Sequence, residues 1–295
     1  MNRKKKIEIA TLYIYAKRFG LEETFLKIWD RKSFRRLLNF PRRIMSKLRY
    51  RHLILSSPDA GEIESIVHDL KKNGCAISHI SNFSQVPKID DLQKEFSELM
   101  SKHNPNTFKN RSKKYIERLV DDNYDFKAFR DKPFSQYVTH PSLALVAEGY
   151  LGLVPKLSSF KIWRSHFTGE VKRNASQNWH RDYNEYMMLR VFLYLNEVDE
   201  HNGAGEYIKD SHYLGNSYNI LEYSEESGTY ASDQEISDNF SQESIFIARG
   251  EPGTIIFLDT AGLHRGGYHP RPGERRVALI TFSTAADIMP SKIFL

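Results

Sequence analysis

The sequence predicts a mainly β fold with flanking helices, built on a double-stranded β-helix, the jelly-roll architecture of cupin-like proteins. Three observations carry this. From "KLSSFKIWRSHF" (residues 156–167) onward, the chain consists mostly of strand-length runs separated by Gly-, Asn- and Pro-rich turns. Before that point, apolar residues recur mainly at helical spacing. The chain has 295 residues, 40% of them hydrophobic, enough for one large core with appendages. The expected division is a basic helical extension over residues 1–56 and a double-stranded β-helix domain over residues 57–295.

The opening stretch "MNRKKKIEIATLYIYAKRFG" has the basic start of a signal peptide. Glu8 interrupts its apolar part and no small-residue cleavage site follows, so it reads as a helix. Leu21, Phe25, Ile28 and Trp29 fall at helical spacing, with Arg31, Lys32, Arg35 and Arg36 on a polar face. Pro41 is expected to break this run, and "RRIMSKLRY" to begin another helix. The next helix has Ser57 as N-cap, Pro58 in its first turn and an apolar stripe of Ile63, Ile66, Val67 and Leu70. Asn73-Gly74 supplies its left-handed stop, and "CAISHI" enters a strand. Residues 90–135 read as polar and helical, with a basic loop, "KNRSKKY", near a substrate entrance. "PSLALVAEGYLG" reads as a short buried helix. Residues 222–243 are acidic and Ser-rich, too polar for a core strand, and are expected to form an insert or lid.

The chemistry concentrates late in the chain. His180 is the only histidine with a carboxylate two residues on, Asp182. Residues i and i+2 of a strand share a face, so both side chains can reach one ion while Arg181 points away. His264, downstream in "GTIIFLDTAGLHRGGYHPRPGERRVALITF", can complete the set. His269 competes with it but lies in a turn-like stretch before Pro270. Two histidines and one carboxylate leave one side of a metal open, the ligand set of non-haem Fe(II) oxygenases. Asp259 and Thr260 are candidate acceptors for the ligands' second ring nitrogens. Arg275 and Arg276 both follow, and strand alternation lets only one point inward. A guanidinium there could grip a carboxylate bidentately. Arg190, Phe192 and Tyr194 share a strand face that lines either the cavity or a covering helix. Gln177 is a candidate hydrogen-bond partner of co-substrate or substrate, and Tyr183, Asn184 and Glu185 sit where a substrate could pass.

At these residues the chain resembles the phytanoyl-CoA hydroxylase-like branch of the Fe(II)/2-oxoglutarate-dependent dioxygenases. The family pattern is a His-x-Asp, an "NG" followed by a strand ending in "SH", a distal His and a late Arg. Here these are His180-Arg181-Asp182, "NGAGEYIKDSH" from Asn202 to His212, His264, and Arg275 eleven residues further on. The likeness runs from about residue 60 to the C-terminus. It implies Fe(II) held by His180, Asp182 and His264, with 2-oxoglutarate as co-substrate on Arg275. It further implies dioxygen, a small-molecule substrate, hydroxylation, and release of succinate and CO₂. His212 matches the pattern with no ligand role. A related halogenase would lack the carboxylate ligand, which Asp182 supplies. An oxygenase of nucleic acid or glycan, and a non-catalytic binding protein on the same barrel, are the other readings.

Charge is distributed unevenly. Residues 1–51 hold 16 Lys/Arg against 4 Asp/Glu, and the remainder 27 against 33. The basic segment can meet nucleic acid, an anionic surface or an acidic partner, or be a solvated helical face. Basic residues are thus not concentrated in the catalytic body, as a nucleic-acid oxygenase would want. Cys75 is the only cysteine, which excludes a disulfide framework and a thiolate metal cluster and fits a reducing, cytoplasmic setting. No apolar run is long enough to cross a membrane.

Overall fold

The computed structural model describes residues 16–21, 32–103, 115–121, 124–126, 128–169, 172–182, 188–221 and 230–284, with the backbone alone over 32–39. Two antiparallel sheets face each other. The larger has the strand order β1 (Cys75–His79), β9 (Thr254–Leu258), β5 (Leu189–Tyr194), β11 (Glu274–Thr284), β3 (Pro155–His166), β2 (Ile116–Asp121). The smaller has the order β7 (Tyr230–Ala231), β4 (Trp179–His180), β10 (His264–Arg265), β6 (Gly205–Ile208), β8 (Ile245–Ala248). This is the jelly roll expected from the sequence.

Strand alternation divides the larger sheet cleanly. Phe160, Ile162, Val191, Leu193, Ile255, Phe257, Ala278 and Ile280 join one buried cluster with residues of the helices α2 (Ala60–Asn73) and α5 (Pro141–Leu151). The intervening residues, among them Trp163, Arg190, Phe192, Tyr194, Ile256 and Leu279, face the smaller sheet across a cavity. The even residues of β5 therefore line the cavity, and its odd residues meet the helices.

Several local expectations need correction. Pro41 does not end the first helix: α1 runs unbroken from Lys32 to Leu55 with Pro41 inside it. Pro41 is solvent-exposed, and the helix continues through it with one backbone hydrogen bond fewer. Helix α2 starts two residues later than its Ser-Pro signal, with Asp59 as N-cap, and the Ser57 hydroxyl accepts from the Asp59 amide. Residues 90–135 are not all helical: between α3 (Ile89–Lys102) and α4 (Pro133–Val138) lies the edge strand β2. The acidic insert contributes β7, which pairs with β4, and the helix α6 (Asp233–Asn239), closed by a Ser232–Glu235 capping box. Phe25, Ile28, Trp29, residues 109–114 of the basic loop, Tyr183, Asn184, Glu185 and the 222–229 part of the insert lie outside the described residues.

The α2–β1 junction turns on Gly74, which is left-handed (φ 75°) and whose N–H donates to the Leu70 carbonyl at 2.9 Å. A Cβ there would strike the Tyr207 hydroxyl and the His212 ring. His212 is buried, and its Nε2 lies 3.2 Å from the Lys71 carbonyl, so it seats the smaller sheet on the end of α2. Gly74→Ala is expected to destabilise the protein by about 3 kcal/mol, combining left-handed strain with overpacking. Thermal melting beside the wild type checks this; an unchanged Tm contradicts the role given to this junction.

Candidate metal centre

His180 and His264 are direct cross-strand partners on β4 and β10, their ring centroids 4.3 Å apart. Each short strand is pinned from the side. Trp179 is buried, donates its indole N–H to Asp233 Oδ1 at 3.0 Å, and lies under the Arg265 guanidinium. The Asp182 amide donates to the Thr260 carbonyl at 2.8 Å, which brings its carboxylate between the two rings. Its Oδ1 lies 3.9 Å from His180 Nε2 and its Oδ2 3.8 Å from His264 Nε2. One ligand atom from each of the three residues lies within 4.8 Å of the others, the spacing of a site that closes on one ion. Arg181 points the opposite way, donating to the carbonyls of Ser211, Ala261 and Tyr218.

Both histidines are oriented by backbone, not by the side chains of Asp259 or Thr260. His180 Nδ1 lies 2.9 Å from the Asn178 carbonyl, and His264 Nδ1 lies 2.9 Å from the Gly262 carbonyl. Donation from each Nδ1–H leaves each Nε2 lone pair free to bind a cation. Burial, with His180 next to it, pushes the His264 pKa down to about 3, so its imidazole is neutral. Asp259 instead braces the turn that delivers His264: it accepts from the Tyr150 hydroxyl and the Ala261 amide, and its carbonyl accepts from Tyr207. Burial raises its pKa.

Arg190 adds a contact that the sequence did not reveal. Its Nη2 lies 2.8 Å from Asp182 Oδ2. Burial works to raise the Asp182 pKa, but the Arg190 guanidinium outweighs it and holds the carboxyl below its usual range. The signal was a lone arginine inside the apolar run "MMLRVFLYL". Arg190→Leu should weaken metal binding about 10–100-fold, as loss of a ligand-orienting partner usually does. Removing a cation also relieves repulsion of the metal, but that repulsion is largely neutralised by the paired carboxylate. Equilibrium dialysis with Fe(II) measures the result, and unchanged or tighter binding counts against the orienting role.

Arg275 lies opposite Ser165, on the face of β11 that carries Leu279 and Thr281 into the cavity. It is buried, and its Nη1 donates to the Gly203 carbonyl at 2.6 Å. Its Nε is buried without a hydrogen-bond partner, and no carboxylate among the described residues pairs with it. Arg276 faces the other way, paired with Glu274 and lying over Phe96. His269 is engaged away from the metal ligands: its Nε2 lies 3.0 Å from Ser165 Oγ on β3. Burial, then Arg275, pushes its pKa down to about 4. Gln177 is committed to backbone, its Oε1 accepting from the Asn174 amide and its Nε2 donating to the Gly267 carbonyl. It shapes the turn leading into His180 and does not line the cavity.

The cavity between the sheets measures about 420 Å³, within the range of small-molecule sites. Its wall includes Tyr115, the last residue of the basic loop, and residues that no sequence motif singled out, among them Arg118, Lys161 and Trp163. Asp121 lies 2.6 Å from Arg118 and 3.4 Å from Lys161.

No curated protein matches the chain in sequence. Solved structures do share its fold. The non-heme alpha ketoglutarate dependent epimerase SnoN from nogalamycin biosynthesis matches with a TM-score of 0.55 and 14% identity, over 76% of this chain and 81% of that one. AviO1 from Streptomyces viridochromogenes Tue57 matches with a TM-score of 0.51 and 16% identity, over 77% and 97%. EctD from S. alaskensis with 2-oxoglutarate and 5-hydroxyectoine matches with a TM-score of 0.50 and 16% identity, over 74% of each chain. The model of the phytanoyl-CoA dioxygenase family matches residues 71–277, a span that takes in His180, Asp182, His264 and Arg275 and most of the chain, and the protein belongs to that family.

Proposed function

We propose that the protein is an Fe(II)- and 2-oxoglutarate-dependent oxygenase that hydroxylates a small organic molecule and releases succinate and CO₂. The observation that carries this is the pairing of two features in one cavity. One is the His180–Asp182–His264 donor set, and the other is Arg275, a buried cation without a carboxylate partner among the described residues. A buried guanidinium in that condition is costly unless a ligand supplies the missing anion. In this reading Arg275 holds the distal carboxylate of 2-oxoglutarate, and Asp182 and the two histidines hold Fe(II).

Bound iron supplies dioxygen activation and the oxidative decarboxylation of the keto acid. The protein supplies geometry. Asn178 and Gly262 fix the imidazoles, Arg190 holds the second oxygen of Asp182, and Trp163, Phe192 and Leu279 supply apolar wall to the cavity. Ser159, Thr281 and Arg190 form one cross-strand row on the cavity side, which favours a substrate with polar groups.

SnoN is described as an epimerase, so this fold also serves outcomes other than hydroxylation. The test separates the levels. Anaerobic protein loaded with Fe(II) and 2-oxoglutarate, then exposed to air, is expected to form succinate that depends on iron. Candidate metabolites are then screened for those that raise the rate. Isotope-labelled dioxygen should leave its label in the product of a hydroxylase but not in that of an epimerase. Folded, iron-loaded protein that makes no succinate with any substrate would remove the oxygenase reading.

A further inference from the structure

Helix α1 carries a surface with no part in the cavity. One side of the helix is docked: Ser46 and Ile54 are buried, and Tyr50 lies against Gly149. The buried Glu148 accepts from Ser46 Oγ at 2.9 Å and from Arg49 Nη1 at 2.6 Å. The other side is apolar and open. Phe40 is 60% exposed, Ile44 47%, Met45 68%, Leu48 60% and Leu55 88%. At about 100° per residue, Phe40, Ile44 and Leu48 fall within an arc of roughly 80° and follow one another at i, i+4, so they form one ridge that runs for about 12 Å, and Leu55 lies on the same side further along, beyond Arg51. Single exposed apolar residues are ordinary, but a continuous ridge is not.

The charge on the same helix is one-sided. Residues 32–55 contain eight Lys/Arg and no Asp/Glu. Exposed Lys47 borders the ridge, and exposed Arg51 continues its line beyond Leu48. We propose that α1 is an interfacial anchor that docks the protein on an anionic lipid surface. The ridge enters the boundary between headgroups and acyl chains, and the basic residues lie among the headgroups. Two observations favour lipid over an acidic protein groove. The apolar surface is a convex ridge along one helix, which a deformable bilayer accepts without a matching shape. The charge split also gives such a surface a direction, because α1 carries eight Lys/Arg and no Asp/Glu while residues 52–295 hold 27 Lys/Arg against 33 Asp/Glu. The helix is not long and apolar enough to cross a membrane, and none among the described residues is. On its inner side α1 packs on α5, and α5 packs on β3 and β11, so docking through the ridge leaves the cavity between the sheets accessible.

The test uses the full chain and sedimentation with two kinds of vesicle, phosphatidylcholine alone and phosphatidylcholine with phosphatidylserine. Partition onto the anionic vesicles is expected to exceed that onto neutral ones by about tenfold or more at low salt, and to fall as salt rises. Ile44→Ser/Leu48→Ser, which removes the ridge, and Lys47→Glu/Arg51→Glu, which reverses its border, should each lower anionic binding about tenfold. Both pairs are exposed, so unchanged melting curves are expected. A Leu48→Trp protein reads the contact directly: brominated lipid should quench the new indole in anionic vesicles only. Several results overturn the proposal: equal partition onto both vesicles, wild-type binding by the ridge variant, or quenching in the Leu48→Trp protein no greater than that of the native tryptophans. A wild-type dimer that the ridge variant turns into a monomer also overturns it, making this face a contact between copies.

Discussion

Asp182→Ala is expected to abolish stable Fe(II) binding and to lower iron-dependent 2-oxoglutarate turnover by roughly 10³-fold, the scale of losing a correctly held Lewis acid. The carboxylate is the one ligand that carries charge, since both imidazoles bind as neutral groups. Without it, the cation would be left with His180 and His264 beside Arg190, whose guanidinium would then be an uncompensated positive group next to the site. Arg181→Met is the informative neighbour. Arg181 is buried and spends its donors on the carbonyls of Ser211, Ala261 and Tyr218, so its loss should lower the melting temperature while iron binding by folded protein persists. Iron content after equilibrium dialysis, measured beside thermal melting, separates the two variants. Tight iron binding by Asp182→Ala would mean that the ion sits elsewhere.

The contrast between adjacent residues explains why the grouping of His180 with Asp182 was legible in the sequence. A strand's period of two is a strong constraint, and it put His180 and Asp182 together and Arg181 apart before any geometry was known. The distal histidine required a choice between His264 and His269, which the cross-strand pairing of His264 with His180 and the contact of His269 with Ser165 now distinguish. What the sequence could not show was who holds the ligands in place. Asn178 and Gly262 act through backbone carbonyls, which carry no residue signature, and the guess of Asp259 and Thr260 failed for that reason. The strand β2 was missed because "IERLVD" mixes charges with apolar residues and does not alternate. It is an edge strand, where charge protects against unwanted pairing. The ion pair between Arg190 and Asp182 joins two residues separated by a stretch whose course no local rule dictates. Pro41 was read as a break because propensity treats every helix interior alike, whereas its exposed position tolerates the missing hydrogen bond.

Arg275→Ala should raise the 2-oxoglutarate concentration needed for half-maximal turnover by about a hundredfold, equivalent to about 3 kcal/mol for a charge-assisted pair in a buried site. Arg276→Ala should change it by no more than about threefold, since Arg276 is engaged with Glu274 on the opposite face and such partly exposed pairs contribute little. The register explains the difference: Arg275 lies opposite Ser165 on the cavity side of β11, and Arg276 lies opposite Arg164 on the other. Arg275→Lys is a graded intermediate. It keeps the charge but loses the planar fork and the fixed donation to the Gly203 carbonyl, so the co-substrate requirement should fall between wild type and alanine. All three proteins should bind Fe(II) alike, because the proposed ligands His180, Asp182 and His264 lie on β4, β10 and the turn after β4. Loss of iron binding in Arg275→Ala would indicate a collapsed site and not a missing carboxylate clamp. Equal effects at the two arginines, or a larger one at Arg276, would show that the buried guanidinium of Arg275 serves the Gly203 turn and that the co-substrate is held by another group.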